Sequence, residues 1–360
     1  MADADPPQRI LLVRPSALGD VARTAPVLAS LRRADPRAEI DWLVQDGFVD
    51  AVAHHPALTA AVPFARRGLR FAGLRPRATG ELLRLRRTLR EKRYDLVLDA
   101  QGLIRSASLA WLTGAKRRVG FADAREGAWL LYTERHRVDP AITHSALRML
   151  ALARMAGVDP VPDARLYVGP EDAAWADRWL AQRQIATRGF VAIAPTTRWL
   201  SKDWPAANYA ALARRLLRDD VTPFVLFLAT PDEWARVAPE FDRLPPTRFA
   251  APPLTVGRLM ALLQRARLLV CNDSAALHLA AGLATPSVSI FGPTDPALVG
   301  PLGTSSTVLR PANAPPGNAH RQRPDDQSLI ARVTLDEVIA AIEGRLTSTT
   351  LRRPIAPARG

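Results

Sequence analysis

The sequence predicts a two-domain α/β protein built on parallel, doubly wound sheets, and three observations predict it. Short uninterrupted apolar runs, such as residues 10–13 (Ile-Leu-Leu-Val), 190–194 (Phe-Val-Ala-Ile-Ala) and 268–271 (Leu-Leu-Val-Cys), are each followed by a loop and a stretch of helical spacing. Strands that read as continuous apolar runs are buried on both faces, which is the habit of parallel sheets covered by helices. The scheme is stated once in each half of the chain, and a Pro- and Asp-rich segment near residues 159–163 separates the halves.

In the first half, a strand at 10–13 leads through Arg14-Pro15-Ser16-Ala17-Leu18-Gly19-Asp20 to a helix at 21–34, and a second strand follows at 39–44. A charged helical stretch at 80–93 precedes a third strand at 96–99. In the second half, the strand at 190–194 leads to a helix at 206–218, and 223–228 leads to a helix from Pro231. The run at 268–271 opens onto Asn272-Asp273-Ser274 and a helix at 275–283, while 287–291 ends at Gly292-Pro293-Thr294-Asp295-Pro296. Residues 311–327, rich in Pro, Asn, Arg and Asp, read as a flexible loop. Thr334 then caps a helix at 334–346, with Glu337 three residues on as in a capping box, before a disordered end at 352–360. The expected domains are 1–165 and 166–330, with a C-terminal helix and tail at 331–360. A ligand is expected between the two domains, beyond the carboxyl ends of their strands.

Composition narrows the classes. With 48% apolar and 23% charged residues the chain can bury a core. One cysteine, Cys271, excludes an internal disulfide and any multi-cysteine metal site, and fits a cytoplasmic address. The acidic start lacks an apolar signal core, and no run reaches the ~18 apolar residues of a spanning helix, so a soluble or peripheral protein is expected. Neither Gly-x-x-x-x-Gly-Lys-Ser/Thr nor Gly-x-Gly-x-x-Gly after the first strand is present, and there is no His-Glu-x-x-His. P-loop, dinucleotide and zinc-hydrolase chemistry lose support accordingly. The one Asp-x-Asp, Asp3-Ala4-Asp5, sits in the terminal tail and reads as solvated rather than metal-binding. A net charge of +14 draws in anions. Among 46 arginines the three lysines, Lys92, Lys116 and Lys202, stand out.

Five features could carry chemistry. Asp20 lies beyond the carboxyl end of the first strand, where a carboxylate could take a proton from an attacking hydroxyl; it could equally be a helix N-cap. Ser16 and Gly19 beside it divide between turn-making and ligand contact. The segment from Asn272 to His278 combines a helix start, the Ser274 hydroxyl and an imidazole one turn on, an arrangement suited to a diphosphate; taken singly, Ser274 is an ordinary cap and His278 an ordinary helix-surface or core histidine. The turn Gly292-Pro293-Thr294-Asp295 offers further amides to the same phosphates. Thr196 and Thr197 begin a loop that carries Lys202, a compact charge for a phosphate or a solvated loop residue. The basic stretch Arg66, Arg67, Arg70, Arg75 and Arg77 is either an exposed face or a clamp for an acidic acceptor.

These residues, in this order, resemble glycosyltransferase family 9, the heptosyltransferases of lipopolysaccharide core assembly, over residues 10–296. The match is carried by the 14–20 loop, Asp41-Trp42-Leu43-Val44, Tyr94-Asp95 with Asp99-Ala100-Gln101-Gly102-Leu103, Ala124-Arg125-Glu126, His144, Lys202 with Trp204-Pro205, Asp273-Ser274 with His278, and Gly292-Pro293-Thr294-Asp295-Pro296. The resemblance implies the GT-B fold, two facing Rossmann-like domains, the first for the acceptor and the second for ADP-heptose. It implies inverting transfer without cofactor or metal ion, with Asp20 as the base. It assigns Thr196, Thr197, Lys202, Asp273, Ser274, Ala275, His278, Gly292, Pro293, Thr294 and Asp295 to the donor. Ser16, Gly19, Arg66, Arg67, Arg70, Gln101, Arg125 and His144 fall to an acidic Kdo-lipid A type acceptor at the cytoplasmic face of the inner membrane, with no role for nucleic acid. Asp232 or Glu233 is left for the donor ribose. Ala275 stands where the family has Gly, and the 197–202 loop is one residue longer than its pattern. Those departures keep open a family 9 enzyme with another nucleotide sugar or acceptor, and, from a different class, a non-catalytic binder of nucleotides or polyanions.

Overall fold

The computed structural model describes residues 9–65, 76–303 and 305–350. Outside these lie Asp3-Ala4-Asp5, the arginines at 66, 67, 70 and 75, and the terminal stretch 352–360. The chain divides into two compact units, Met1–Gly169 and Pro170–Gly360.

The first unit runs β1 (Arg9–Val13), α1 (Leu18–Ala34), β2 (Glu39–Gln45), β3 (Ala60–Phe64), α2 (Pro76–Glu91), β4 (Leu96–Asp99), α3 (Ile104–Leu112), β5 (Arg117–Phe121), β6 (Glu134–His136) and α4 (Ser145–Met155). Its strands form one parallel sheet in the order β3-β2-β1-β4-β5-β6. The central strands are the apolar runs, and Leu11, Leu12, Val13, Val97 and Leu98 are fully buried. Three strands escape the sequence reading. β3 carries Pro63, which an edge strand tolerates because no ladder bond is lost to solvent. β5 opens on Arg117-Arg118, and β6 is Glu-Arg-His at the other edge, so neither shows an apolar run.

The second unit runs α5 (Pro170–Ala181), β7 (Phe190–Ala194), α6 (Ala206–Arg218), β8 (Phe224–Phe227), α7 (Pro231–Val237), β9 (Phe249–Ala250), α8 (Val256–Arg265), β10 (Leu268–Asn272), α9 (Ala275–Gly282), β11 (Ser287–Ile290), α10 (Pro296–Val299), β12 (Ser306–Leu309) and α11 (Leu335–Thr350). Its sheet is again parallel, ordered β12-β11-β10-β7-β8-β9. Read from the β9 edge this is the same winding as the first unit, so strand order reverses between β1 and β4 in one and between β7 and β10 in the other. Ligands of such sheets bind at that reversal, beyond the carboxyl ends.

The core of the second unit packs Val191, Ile193, Phe227 and Val270 against Trp204, Tyr209 and, from α11, Val338 and Ile342. The helix α11 starts with the reciprocal cap: Thr334 N–H donates to Glu337 at 2.7 Å, and Glu337 N–H to Thr334 Oγ1 at 3.3 Å.

The loop 311–327 is not the loose segment its composition predicts. Ser201 N–H donates to Pro324 O (2.7 Å), Ala319 N–H to Pro293 O (2.8 Å), Asp295 N–H to Asn318 Oδ1 (3.1 Å) and Gln327 Nε2 to Asp203 O (2.8 Å). The Asn and Gln side chains that spoil regular structure here satisfy the main chain of neighbouring loops instead. Among the described residues, no helix is long and apolar enough to cross a membrane.

Candidate functional site

In the first unit, β1 and β4 end side by side, and the first residue after β1, Arg14, is buried and donates to Ala100 O just past β4. From there its Nη2 lies 2.7 Å from Asp20 Oδ2. Arg23, one turn along α1, contacts the other carboxylate oxygen and donates to Ser145 Oγ at 2.8 Å. Asp20 is therefore not the N-cap of α1: that place falls to Ala17, whose side chain caps nothing, and Asp20 sits in the first turn between two guanidiniums. Burial would raise its carboxyl, but Arg14 and Arg23 outweigh burial and hold it well below the usual carboxylate range. Its side chain keeps 27% exposure, so a ligand can reach it.

Beside Arg14 opens a cavity of about 350 Å³ whose polar lining includes Gln101, Asp123, Arg125, Ser145 and Arg148. Its floor is organised by Asp99, fully buried, which accepts from Gln101 N–H (2.8 Å), Ser106 Oγ (2.8 Å) and Tyr132 Oη (2.7 Å). Burial raises the Asp99 carboxyl despite these bonds. Gln101 Oε1 is buried with no hydrogen-bond partner among the described residues. Arg148 Nη2 lies 2.7 Å from Asp123 Oδ2, with its guanidinium 5.6 Å from the centre of the Phe121 ring. Three guanidiniums on one cavity suit carboxylate or phosphate. His144, expected to touch the acceptor, caps α4, its Nδ1 accepting from Ala146 N–H at 3.3 Å. Ser16 and Gly19 are half-buried at the start of α1.

In the second unit, Asn272 at the end of β10 ties the strand ends together: Nδ2 donates to Pro195 O (2.9 Å), and Oδ1 accepts from Trp204 N–H (3.0 Å) and Tyr209 Oη (2.9 Å). Next to it Asp273 meets Lys202 Nζ at 2.6 Å, and His278 Nε2 stands 3.9 Å from its other oxygen. The longer 197–202 loop thus still delivers its lysine, because Leu200–Lys202 tightens into a turn of 3₁₀ helix and Thr197 Oγ1, bonded to Trp199 O (2.8 Å), folds the loop back. Burial would raise the Asp273 carboxyl; Lys202 and His278 overcome it and keep the group ionised.

Around this pair stand the buried hydroxyls of Ser274 and Thr294. Ser274 is the N-cap of α9 yet makes no capping bond, and its Oγ is buried without a partner among the described residues. Thr294, also buried, turns its hydroxyl towards the Asp273 carboxylate. Ala275 is the first residue of α9, and Thr196 is buried at the end of β7. Gly292 lets its turn pack down: a Cβ there would come 2.6 Å from Ile330 Cβ.

Two assignments change character. Asp295 spends its carboxylate on Ala297 N–H (3.0 Å) and Gly317 N–H (3.2 Å), and so anchors the 311–327 loop together with Pro293 O. Glu233 is the capping-box partner of Thr230, with a 2.9 Å bond from its N–H, while Asp232 is exposed. Sequence reasoning overlooked Arg23, Arg148 and the strand-tying role of Asn272. The first was readable from its i, i+3 spacing to Asp20, whereas the other two have no local signal.

The family model for glycosyltransferase family 9 (heptosyltransferase) matches residues 82–329. Lipopolysaccharide heptosyltransferase 1 of Pseudomonas aeruginosa is 32% identical over 315 residues, 84% of this chain and 83% of that protein. The structure of Escherichia coli heptosyltransferase WaaC with ADP-2-deoxy-2-fluoro heptose superposes with a TM-score of 0.73 at 26% identity, over 93% of this chain and 99% of that one. The family 9 glycosyl transferase of Veillonella parvula superposes with a TM-score of 0.80 at 21% identity, over 95% and 97% of the two chains.

Proposed function

This chain belongs to glycosyltransferase family 9 and has its GT-B fold, and on that premise we propose that it is an inverting heptosyltransferase of the heptosyltransferase 1 kind. It moves heptose from ADP-heptose to an acidic Kdo-lipid A type acceptor at the cytoplasmic membrane face, without a metal ion. The observation that carries this reading is the cradle past β10, where Lys202, the start of α9, the Thr294 hydroxyl and the buried Ser274 hydroxyl, without a partner among the described residues, come together. Such a set fits the diphosphate of a nucleotide sugar.

In the proposed reaction the acceptor hydroxyl oxygen bonds to the anomeric carbon while the bond from that carbon to the phosphate oxygen breaks. The electron pair leaves on ADP, where Lys202 and the α9 amides stabilise it, and the configuration inverts. The hydroxyl proton passes to Asp20. A carboxylate held so far down by Arg14 and Arg23 is a weak base towards a free alcohol, so it accepts the proton late, once the oxygen is acidified by its new bond to carbon. The acceptor's own carboxylates pair with Arg125 and Arg148 beside Gln101, with Arg66, Arg67 and Arg70 assigned by the family pattern. Asp232 takes the ribose, since Glu233 is engaged at its cap.

The test is ADP release by purified protein from a panel of ADP-, UDP- and GDP-sugars with a Kdo-type acceptor, repeated in EDTA, with the product linkage read by NMR. Turnover is expected with ADP-heptose, undiminished by chelator, and with the opposite anomeric configuration to the donor. Preference for a UDP or GDP sugar removes the donor, retention of configuration removes the direct displacement, and loss in EDTA removes metal independence.

A further inference from the structure

Four of the large apolar side chains exposed among the described residues lie on two adjoining elements of the first unit. Ile104 and Trp111, the latter 53% exposed, stand on the open face of α3; Trp129 and Leu130, the latter 63% exposed, stand on the short turn of helix at residues 128–131 that packs against α3. The opposite face of α3 buries Ser106, Ala107, Leu109 and Ala110, so this face is left over after the core is made. Apolar surface concentrated in this way marks an interaction site.

Its rim is cationic. Arg105 is exposed on α3 itself, the exposed Arg135 holds its guanidinium 5.3 Å from the centre of the Trp129 ring, and Lys116 and Arg137, close to these elements in sequence, are exposed as well. The nearby acids are engaged: Glu134 pairs with Arg117, and Glu126 accepts from Ile104 N–H at 3.2 Å. We infer that the α3 and 128–131 face docks on an anionic lipid bilayer, tryptophans and Leu130 in the headgroup boundary and the rim on lipid phosphates. Indole rings settle at that depth, and each basic side chain near an anionic leaflet adds attraction. A second copy of the chain fits less well, because a two-fold contact would set the cationic rims against each other.

The face also adjoins the cavity of the same unit. Gln101 and Gly102, which line the cavity, lead directly into Ile104, and the cavity residue Arg125 accepts through its carbonyl from Ala128 N–H at 3.0 Å at the start of the 128–131 turn. A docked face would hold the cavity at the bilayer surface, within reach of the polar head of a lipid-anchored sugar.

The experiment is flotation of the full chain with vesicles of phosphatidylglycerol and phosphatidylethanolamine in equal parts, against vesicles of phosphatidylcholine. It needs neither donor nor acceptor, so it stands or falls apart from the proposed transfer. Wild type is expected to float with the anionic vesicles, and less so as salt rises. Combined Trp111→Ser, Trp129→Ser and Leu130→Ser substitutions are expected to weaken binding about tenfold or more, while Leu83→Ser, on the exposed side of α2, leaves it unchanged. Thermal unfolding verifies that the triple variant folds; should it not, Leu130→Ser alone carries the test with a smaller loss. Failure of wild type to float, undiminished flotation of the variants, or a wild-type dimer that they convert to monomer would overturn the inference.

Discussion

The two units wind their sheets identically, yet their switch points are built for different work. Past β1, Asp20 is 27% exposed and clamped by two arginines beside an open cavity of about 350 Å³. Past β10, Asp273 is 7% exposed, paired to one lysine, and walled by buried hydroxyls and the tied-down 311–327 loop. Guanidiniums hold a carboxylate in a fixed orientation and still offer further donors to a planar acid. A single ammonium is compact, and its charge can swing from Asp273 to an arriving phosphate. On the proposed function, the same topology supplies a reactive carboxylate in one unit and an anion cradle in the other, and the cation chosen makes the difference.

The largest expected effect separates those roles. Asp20→Asn should lower kcat by about 10³-fold while leaving ADP affinity, measured by calorimetry, at the wild-type value; near-normal turnover would strip Asp20 of its part. Lys202→Ala should cost about 10²-fold in turnover and, unlike the first change, weaken ADP binding as well. It also leaves Asp273 buried without its cation, so the melting temperature should fall in the same protein. Unaltered ADP affinity in that variant would mean that the cradle binds its ligand some other way.

A third carboxylate sharpens the contrast within the second unit. Asp203 is buried, and hydrogen bonding from Thr197 together with Arg236 at 3.3 Å offsets that burial incompletely, so its carboxyl is pushed up to about 7. The folded chain then keeps a proton that the unfolded chain gives up near 3.8. The stability this proton contributes is complete below about pH 4 and lost as pH climbs through about 7. Asn imitates the protonated form. Asp203→Asn should therefore melt above wild type by a margin that opens at about pH 4, widens to several degrees as pH rises to about 7 and is constant above it, and a margin that does not change with pH would refute the buried, raised carboxyl.

Much of this was legible in sequence where the signal is local. The apolar runs at 190–194 and 10–13 mark central strands because both their faces are covered, and Thr334 with Glu337 marks a cap because three residues make one turn. Edge strands gave no such signal: β6 is polar along its length and β3 contains Pro63. The candidate site divides in the same way. Lys202 stands out by rarity and Asp273 by its strand end, whereas Arg148 reaches the cavity of Gln101 only after α4 has packed beside α1 and β5.

The sequence by itself determined the alternation of strand and helix, the family, and which residues follow the strand ends, since these depend on periodicity and on neighbours a few positions apart. Tertiary structure alone decided that Arg148 joins the cavity of Gln101, that Asp295 is committed in part to Gly317 N–H, and that 311–327 is fastened down on the loops of Ser201, Asp203 and Pro293. Each of those outcomes turns on which groups meet across long stretches of chain. Burial then sets the strength of every charge and hydrogen bond that results.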